Sequence, residues 1–117
     1  MSNLIFISSP YSNPDPKVVE ENYIKVAELV AHLTLNGMTP ISPIVYGHNI
    51  LKFVSLNNDW ETWKDFCLTF LKKSDELWVY KMDGWNHSRG VAEEIEFAVK
   101  NNLHIKYIEY EYFKKVL

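Results

Sequence analysis

The feature that most constrains this chain is an alternation. Leu4-Ile5-Phe6-Ile7 is a short, unbroken apolar run that halts at Ser8-Ser9-Pro10. A run of that length closed by turn residues suits a strand buried on both faces, as in parallel sheets. Leu77-Trp78-Val79-Tyr80 repeats the pattern, and Met38–Ile44 and His104–Ile108 give further strands. Between these runs the period changes. Val19, Tyr23, Val26, Val30 and Leu33 recur at helical spacing, from Asp15-Pro16 to a stop at Gly37. A capping Asp, a Pro at the first helical position and a Gly beyond the end are the expected punctuation. Trp60, Trp63, Phe66, Cys67 and Phe70 mark a second helix, capped by Asn58 or Asp59 and running to Lys73, and Gly90–Asn101 holds a third. Pro43–His48 and Gly84–His87 read as loops, and Tyr110–Leu117 has room for a final helical turn or two.

Strands and helices in turn imply parallel strands joined by right-handed crossovers. The expected fold is α/β: a three-layer sandwich around a doubly wound parallel sheet of four to five strands, flavodoxin- or Rossmann-like. With 117 residues and no repeats or linkers, the chain is expected to form a single domain, 1–117. A hydrophobic content of 47% supplies its core and excludes disorder. The net charge of -3, with Lys and Arg scattered, argues against a nucleic-acid polymer as partner, because such binders carry a clustered basic face. A mononucleotide needs only a few donors and stays open. No apolar stretch approaches a membrane span, and Met1–Ser9 lacks the basic start of a signal peptide. No membrane partner and a cytoplasmic location are expected. The single Cys67 makes no internal disulfide, which suits a reducing compartment, and reads as a small buried hydrophobe.

In open α/β sheets ligands sit outside the carboxyl ends of the strands. That rule gathers Ser8, Ser9, Pro10 and Tyr11 from the first loop, His48 from the second, and Trp85, Ser88, Gly90 and Glu94 from the third. Asp65 joins them if its helix projects over the rim. Ser88-Arg89-Gly90 opens a helix with free backbone N–H groups and a hydroxyl, a seat for a phosphate or carboxylate. Glu94 follows about one turn later, beside Val91, Ile95 and Ala98 at the margin of the buried face. Pattern alone leaves structural roles open. Glu93 and Glu96 suit the helix dipole, Asp65 suits a solvated surface, and a lone His48 suits a packing role. Trp60, Trp63, Trp78 and Trp85 serve as core or as site walls that can stack a base. No spacing matches a zinc site, a Walker loop or a GxGxxG turn, so neither metal nor cofactor is expected.

LIFISSPYS resembles the first strand and loop of the nucleoside 2-deoxyribosyltransferase-like superfamily. DELWVYKMDGWNHSRGVAEEIEFA resembles its second signature: Asp, an apolar strand, a loop, Ser or Asp, Gly, then Glu. SPIVYGH, WETWKDF and GWNHSRGVAEE match a branch of small bacterial and phage domains, so the resemblance spans nearly the whole chain. It implies N-glycosidic bond chemistry, with Glu94 attacking C1′ or stabilising an oxocarbenium-like transition state. It puts the second acid on Asp65, to orient Glu94 or protonate the leaving base. Ser rather than Asp at position 88 implies a nucleoside 5′-monophosphate rather than a nucleoside. It also implies subunits with sites near their boundaries, and the Trp60, Trp63 and Phe70 stripe points to the same homodimer. Phe6 stands where many relatives carry Tyr, leaving Tyr11 or Tyr46 to supply a hydroxyl to the Glu. Glu96 stands where the transferases often carry Gly.

The chemistry has its own logic. Breaking a base–sugar bond builds positive charge on the sugar, which a fixed carboxylate stabilises more in the transition state than in the ground state. A base leaves poorly unless protonated, so a second acid helps. The expected activity is hydrolysis of a nucleoside 5′-monophosphate to free base and sugar phosphate. The alternatives are a base-exchanging deoxyribosyltransferase and a nucleotide-binding domain that sequesters or senses its ligand with little turnover.

Overall fold

The computed structural model describes residues 2–116. Its elements are β1 (Leu4–Ser8), α1 (Pro16–Leu35), β2 (Thr39–Ile41), α2 (Pro43–Ile50), α3 (Trp60–Lys72), β3 (Glu76–Lys81), α4 (Arg89–Lys100), β4 (His104–Glu109) and α5 (Tyr110–Val116). A 3-10 turn, Trp85–His87, precedes α4. All four strands are parallel, in the order β2-β1-β3-β4.

Alternation along the strands sorts the core into two layers. Ile5, Ile7, Trp78, Tyr80 and Ile108 face one way and pack on Val26, Leu29 and Leu33 of α1, with α2 and α5 completing that layer. Phe6, Leu77 and Val79 face the other way, onto Cys67 and Leu71 of α3 and Val91 and Ala98 of α4. This is the three-layer, flavodoxin- or Rossmann-like α/β sandwich with a four-stranded parallel sheet. Because the period of a strand is two, Ser8 shares the α3/α4 face with Phe6. That parity aims the last residue of β1 at α4.

The helix ends obey their local signals. Asp15 caps α1, accepting from Lys17 N–H, with Pro16 at the first helical position. At the other end Gly37 takes φ +80, Met38 N–H donates to Leu33 O at 3.1 Å and Gly37 N–H to Thr34 O at 3.1 Å. These paired bonds form a Schellman motif, which Gly at that position makes strain-free.

The second segment differs from its expected form. β2 covers only Thr39–Ile41, and Pro43–His48, expected as a loop, lies within the helix α2, Pro43–Ile50. Ser42 causes this. Its backbone is extended, its Oγ accepts Val45 N–H at 3.3 Å, and Pro43 follows at the first helical position. That is the punctuation of Asp15-Pro16 over again. Among the described residues no helix is long and apolar enough to cross a membrane.

Candidate functional site

Chain order reverses between β1 and β3, whose neighbours β2 and β4 lie outward on opposite sides. At such a switch point the loops leaving the two strands diverge and open a crevice. Here it is a cleft of about 440 Å³, bounded by the loop after β1, by α2, by the start of α3 and by the loop and first turns of α4.

Glu94 forms part of its floor. Ser88 caps α4, its Oγ accepting Val91 N–H at 3.2 Å, and fixes which face the helix turns inward. Val91, Glu94 and Ala98 share that face, and Glu94 is only 5% exposed. Ser8 Oγ donates to Glu94 Oε1 at 2.6 Å. Burial pushes the Glu94 carboxyl up to about 8, partly offset by hydrogen bonds from the Ser8 hydroxyl and the Cys67 thiol. Both partners are neutral, so nothing in the contact shell cancels the cost of ionising it. Burial, reinforced by Glu94, also holds the Cys67 thiol up and keeps it protonated. The hydroxyl expected from Tyr11 or Tyr46 at this carboxyl comes instead from Ser8. Tyr46 is exposed and stacks on Phe66 with ring centroids 5.2 Å apart.

The adjacent Glu93 has the opposite environment. Trp60 Nε1 donates to it at 2.8 Å, Lys64 Nζ lies at 3.1 Å and Arg89 Nε at 2.9 Å. These bonds, that of Lys64 foremost, hold its carboxyl below the usual range. Beyond complementing a helix dipole, Glu93 ties α3 to α4. Arg89 is further bound to Glu61, so its guanidinium lies at the cleft already paired.

The opposite wall carries a connected set of polar groups. Tyr11 Oη and His48 Nδ1 lie 2.7 Å apart, and His48 Nε2 is 2.9 Å from Glu20 Oε2. Tyr23 stacks on the imidazole at 3.9 Å between centroids, and Tyr11 meets it edge-on at 5.8 Å. Asn22, a polar residue within the buried stripe of α1, donates to Tyr11 O at 3.2 Å. Burial, then the nearby Glu20 charge, raises the Tyr11 phenol above its ordinary value.

Ser9, Pro10, Tyr11, His48, Ser88, Gly90 and Glu94 therefore line one cleft, with Ser8 holding the Glu94 carboxyl from beneath. Ser9 is 7% exposed and its Oγ has no hydrogen-bond partner among the described residues. Trp60 and Trp63 form walls: a Cβ on Gly90 would lie 3.0 Å from the Trp60 ring, and one on Gly47 would lie 3.3 Å from Trp63.

Two expected residues do not join them. Asp65 sits on the exposed side of α3, away from the cleft. Cys67 is the residue of that helix that reaches Glu94, and two helical positions are about 200° of rotation, so Asp65 points to solvent. Trp85 also lies outside, packed against Tyr107 at 5.9 Å and beneath Lys81 at 5.4 Å. Besides Glu94, the acids that reach the cleft are Asp59 and Asp83. Asp59 caps α3 and is held below its ordinary value by hydrogen bonds from Thr62. Glu20 and Asn22 are not among the expected site residues; Asn22, a polar residue at the helical spacing of Val19, Val26 and Leu33, carries a signal in the sequence, and Glu20 carries none. Among the described residues no three His, Cys, Asp or Glu side chains are grouped to hold a metal ion.

One protein-family model, described as a domain of unknown function (DUF1937), matches residues 3–110. No curated protein matches the chain.

Proposed function

The chain belongs to that family, and from this premise we propose that it is a nucleotide N-glycosidase. Its substrate is a nucleoside 5′-monophosphate, and its products are a free base and a sugar 5-phosphate. The observation that carries the reading is Glu94: a buried carboxyl at a switch-point cleft, held by a hydroxyl and a thiol, with no cation partner among the described residues.

An oxocarbenium-like sugar supplies the missing positive charge. A carboxylate poorly solvated by its surroundings gains most when that charge develops beside it, so the stabilisation grows toward the transition state. The phosphate seat is the start of α4. Val91 N–H is already taken by Ser88 Oγ, whereas the amides of Arg89 and Gly90 precede the first intrahelical bonds. The Ser88 hydroxyl proton adds a donor. Trp60 and Trp63 offer faces for the base, and the unpartnered Ser9 Oγ suits a sugar hydroxyl. Neither cofactor nor metal takes part in this scheme. The proposed protein is a cytoplasmic homodimer whose partner is the nucleotide, not a nucleic-acid polymer or a membrane.

A second reading has its own support. Asp65, the acid that the resemblance assigned to the leaving base, lies outside the cleft, which favours a domain that binds a nucleotide with little turnover. Incubation with a panel of nucleoside 5′-monophosphates, followed by chromatography for free base, separates the two. The glycosidase releases base and Glu94→Ala abolishes the release; binding without release in every case selects the sequestering domain. Base exchange in the presence of a second free base, faster than hydrolysis, selects the transferase.

A further inference from the structure

With Asp65 turned to solvent, the acid that the resemblance assigns to the leaving base lies away from the cleft. The wall of the cleft facing α1 holds groups that the proposed reaction has not used. Tyr11 comes from the loop after β1, His48 from α2 and Glu20 from α1, and their contacts run unbroken: Tyr11 Oη to His48 Nδ1 at 2.7 Å, His48 Nε2 to Glu20 Oε2 at 2.9 Å. Tyr11 and His48 line the cleft, whereas the Glu20 side chain is 55% exposed. The imidazole is pinned on its face by Tyr23 and on its edge by Tyr11. A histidine serving packing alone needs neither bond; here both ring nitrogens are committed, by elements far apart in the chain.

We propose that Tyr11, His48 and Glu20 form a relay that protonates the leaving base, with Tyr11 as the catalytic donor and His48 and Glu20 as positioning residues behind it. The inference rests on the glycosidase reading. With both ring nitrogens of His48 protonated, Nε2–H donates to the Glu20 carboxylate and Nδ1–H donates to Tyr11 Oη. The phenolic hydrogen is then free to point into the cleft. As the C1′–N bond breaks, its electron pair stays on the base nitrogen, which takes the Tyr11 proton. The Nδ1 proton moves to the tyrosine oxygen, leaving His48 neutral with Nε2–H still on Glu20. Water adds to C1′ and gives up one proton to solvent, and one solvent proton restores the imidazolium. Tyr11 is thus neutral before and after each turnover, consistent with burial and Glu20 raising its phenol above the ordinary value.

The test compares leaving groups in the full chain. A nucleoside 5′-monophosphate releases a base that needs protonation, whereas a nitrophenyl 2-deoxyriboside 5-phosphate releases nitrophenolate without it. Tyr11→Phe is expected to slow base release by about 10²–10⁴-fold, the usual worth of a general acid, and to slow nitrophenol release far less. Glu20→Gln, a surface change that spares the core, is expected to slow base release less than Tyr11→Phe does, again by a larger factor than nitrophenol release. Glu94→Ala should abolish both. Equal losses on both leaving groups in Glu20→Gln, or no loss of base release in Tyr11→Phe, would overturn the relay while the glycosidase stands. A wild-type chain that cleaves neither compound removes the glycosidase reading, and the relay with it.

Discussion

At the scale of single residues, neighbouring glutamates have opposite fates because a helix turns about 100° per position. Glu93 meets Lys64, Arg89 and Trp60, and Glu94 meets a dry floor. The Glu94 carboxyl titrates near 8 in the folded chain against an ordinary 4.5. Between these values the folded state holds a proton that the unfolded chain has lost, so stability falls as pH rises. The contribution is fully present below about 4.5 and lost as pH passes about 8. Glu94→Gln removes this dependence. In urea titrations it should match wild type near pH 5 and exceed it near pH 9, by on the order of a few kcal/mol. Parallel curves at both pH values would show that Glu94 does not titrate in this range. Activity should behave oppositely: base release by an ionised Glu94 climbs with pH toward about 8. Ser8→Ala, which removes a hydrogen bond favouring the carboxylate, should move that rise to higher pH. Glu96→Ala is the matched control, since Glu96 is exposed and paired with Lys100.

At the scale of elements, α2 and the first turn of α4 shape the cleft. α2 exists because Ser42 caps it, and it carries His48 to Tyr11. Ser42→Ala is expected to cost about 0.5–2 kcal/mol of stability and to weaken ligand binding as His48 loses its support. A calorimetric transition unchanged from wild type would count against this. Gly90 lies in a helix, so its substitution strains no backbone dihedral, but an added Cβ meets Trp60 at 3.0 Å. Gly90→Ala should therefore destabilise by roughly 1–3 kcal/mol and tilt Trp60, shifting its fluorescence. The phosphate seat on the same turn makes a separate prediction. Nucleoside 5′-monophosphates should bind more tightly than their nucleosides, and Ser88→Gly, which spares most of the cap, should narrow the gap by about 1.5–3 kcal/mol in calorimetric titration. Equal affinities in wild type would remove the seat.

At the scale of the whole molecule, the proposed homodimer rests on apolar surface. Trp60 and Trp63, expected to be spare, are instead turned inward over Gly90 and Gly47. Of the exposed large apolar side chains, Tyr46, Phe53, Val54 and Leu56 follow one another in α2 and the stretch after it, with Phe66 of α3 stacked on Tyr46. This segment is the surface on which the proposed pairing would rest, and a two-fold contact is the commonest arrangement for a homodimer. Light scattering at micromolar concentration should report a dimer, and Phe53→Glu should return it to monomer. A wild-type monomer that turns over substrate would remove the dimer from the scheme.

What the sequence determined by itself is what acts over a few residues. Period two against period three to four placed the strands and helices, and Asp15-Pro16 and Gly37 punctuated α1. The same grammar at Ser42-Pro43 starts α2 where a loop is expected over Pro43–His48. The switch-point rule then gathered Ser9, Tyr11, His48, Ser88 and Glu94 at one rim. Tertiary structure decided which of those groups touch. Ser8 and Glu94 are 86 residues apart and Tyr11 and His48 are 37 apart, so no local pattern encodes either bond. The same holds for rotation about an axis: packing of α3 on Phe6 and Leu77 selected Cys67 to face Glu94 and thereby turned Asp65 outward. Spacing along a helix tells which residues share a face, but only the neighbour it packs against decides which face looks into the cleft.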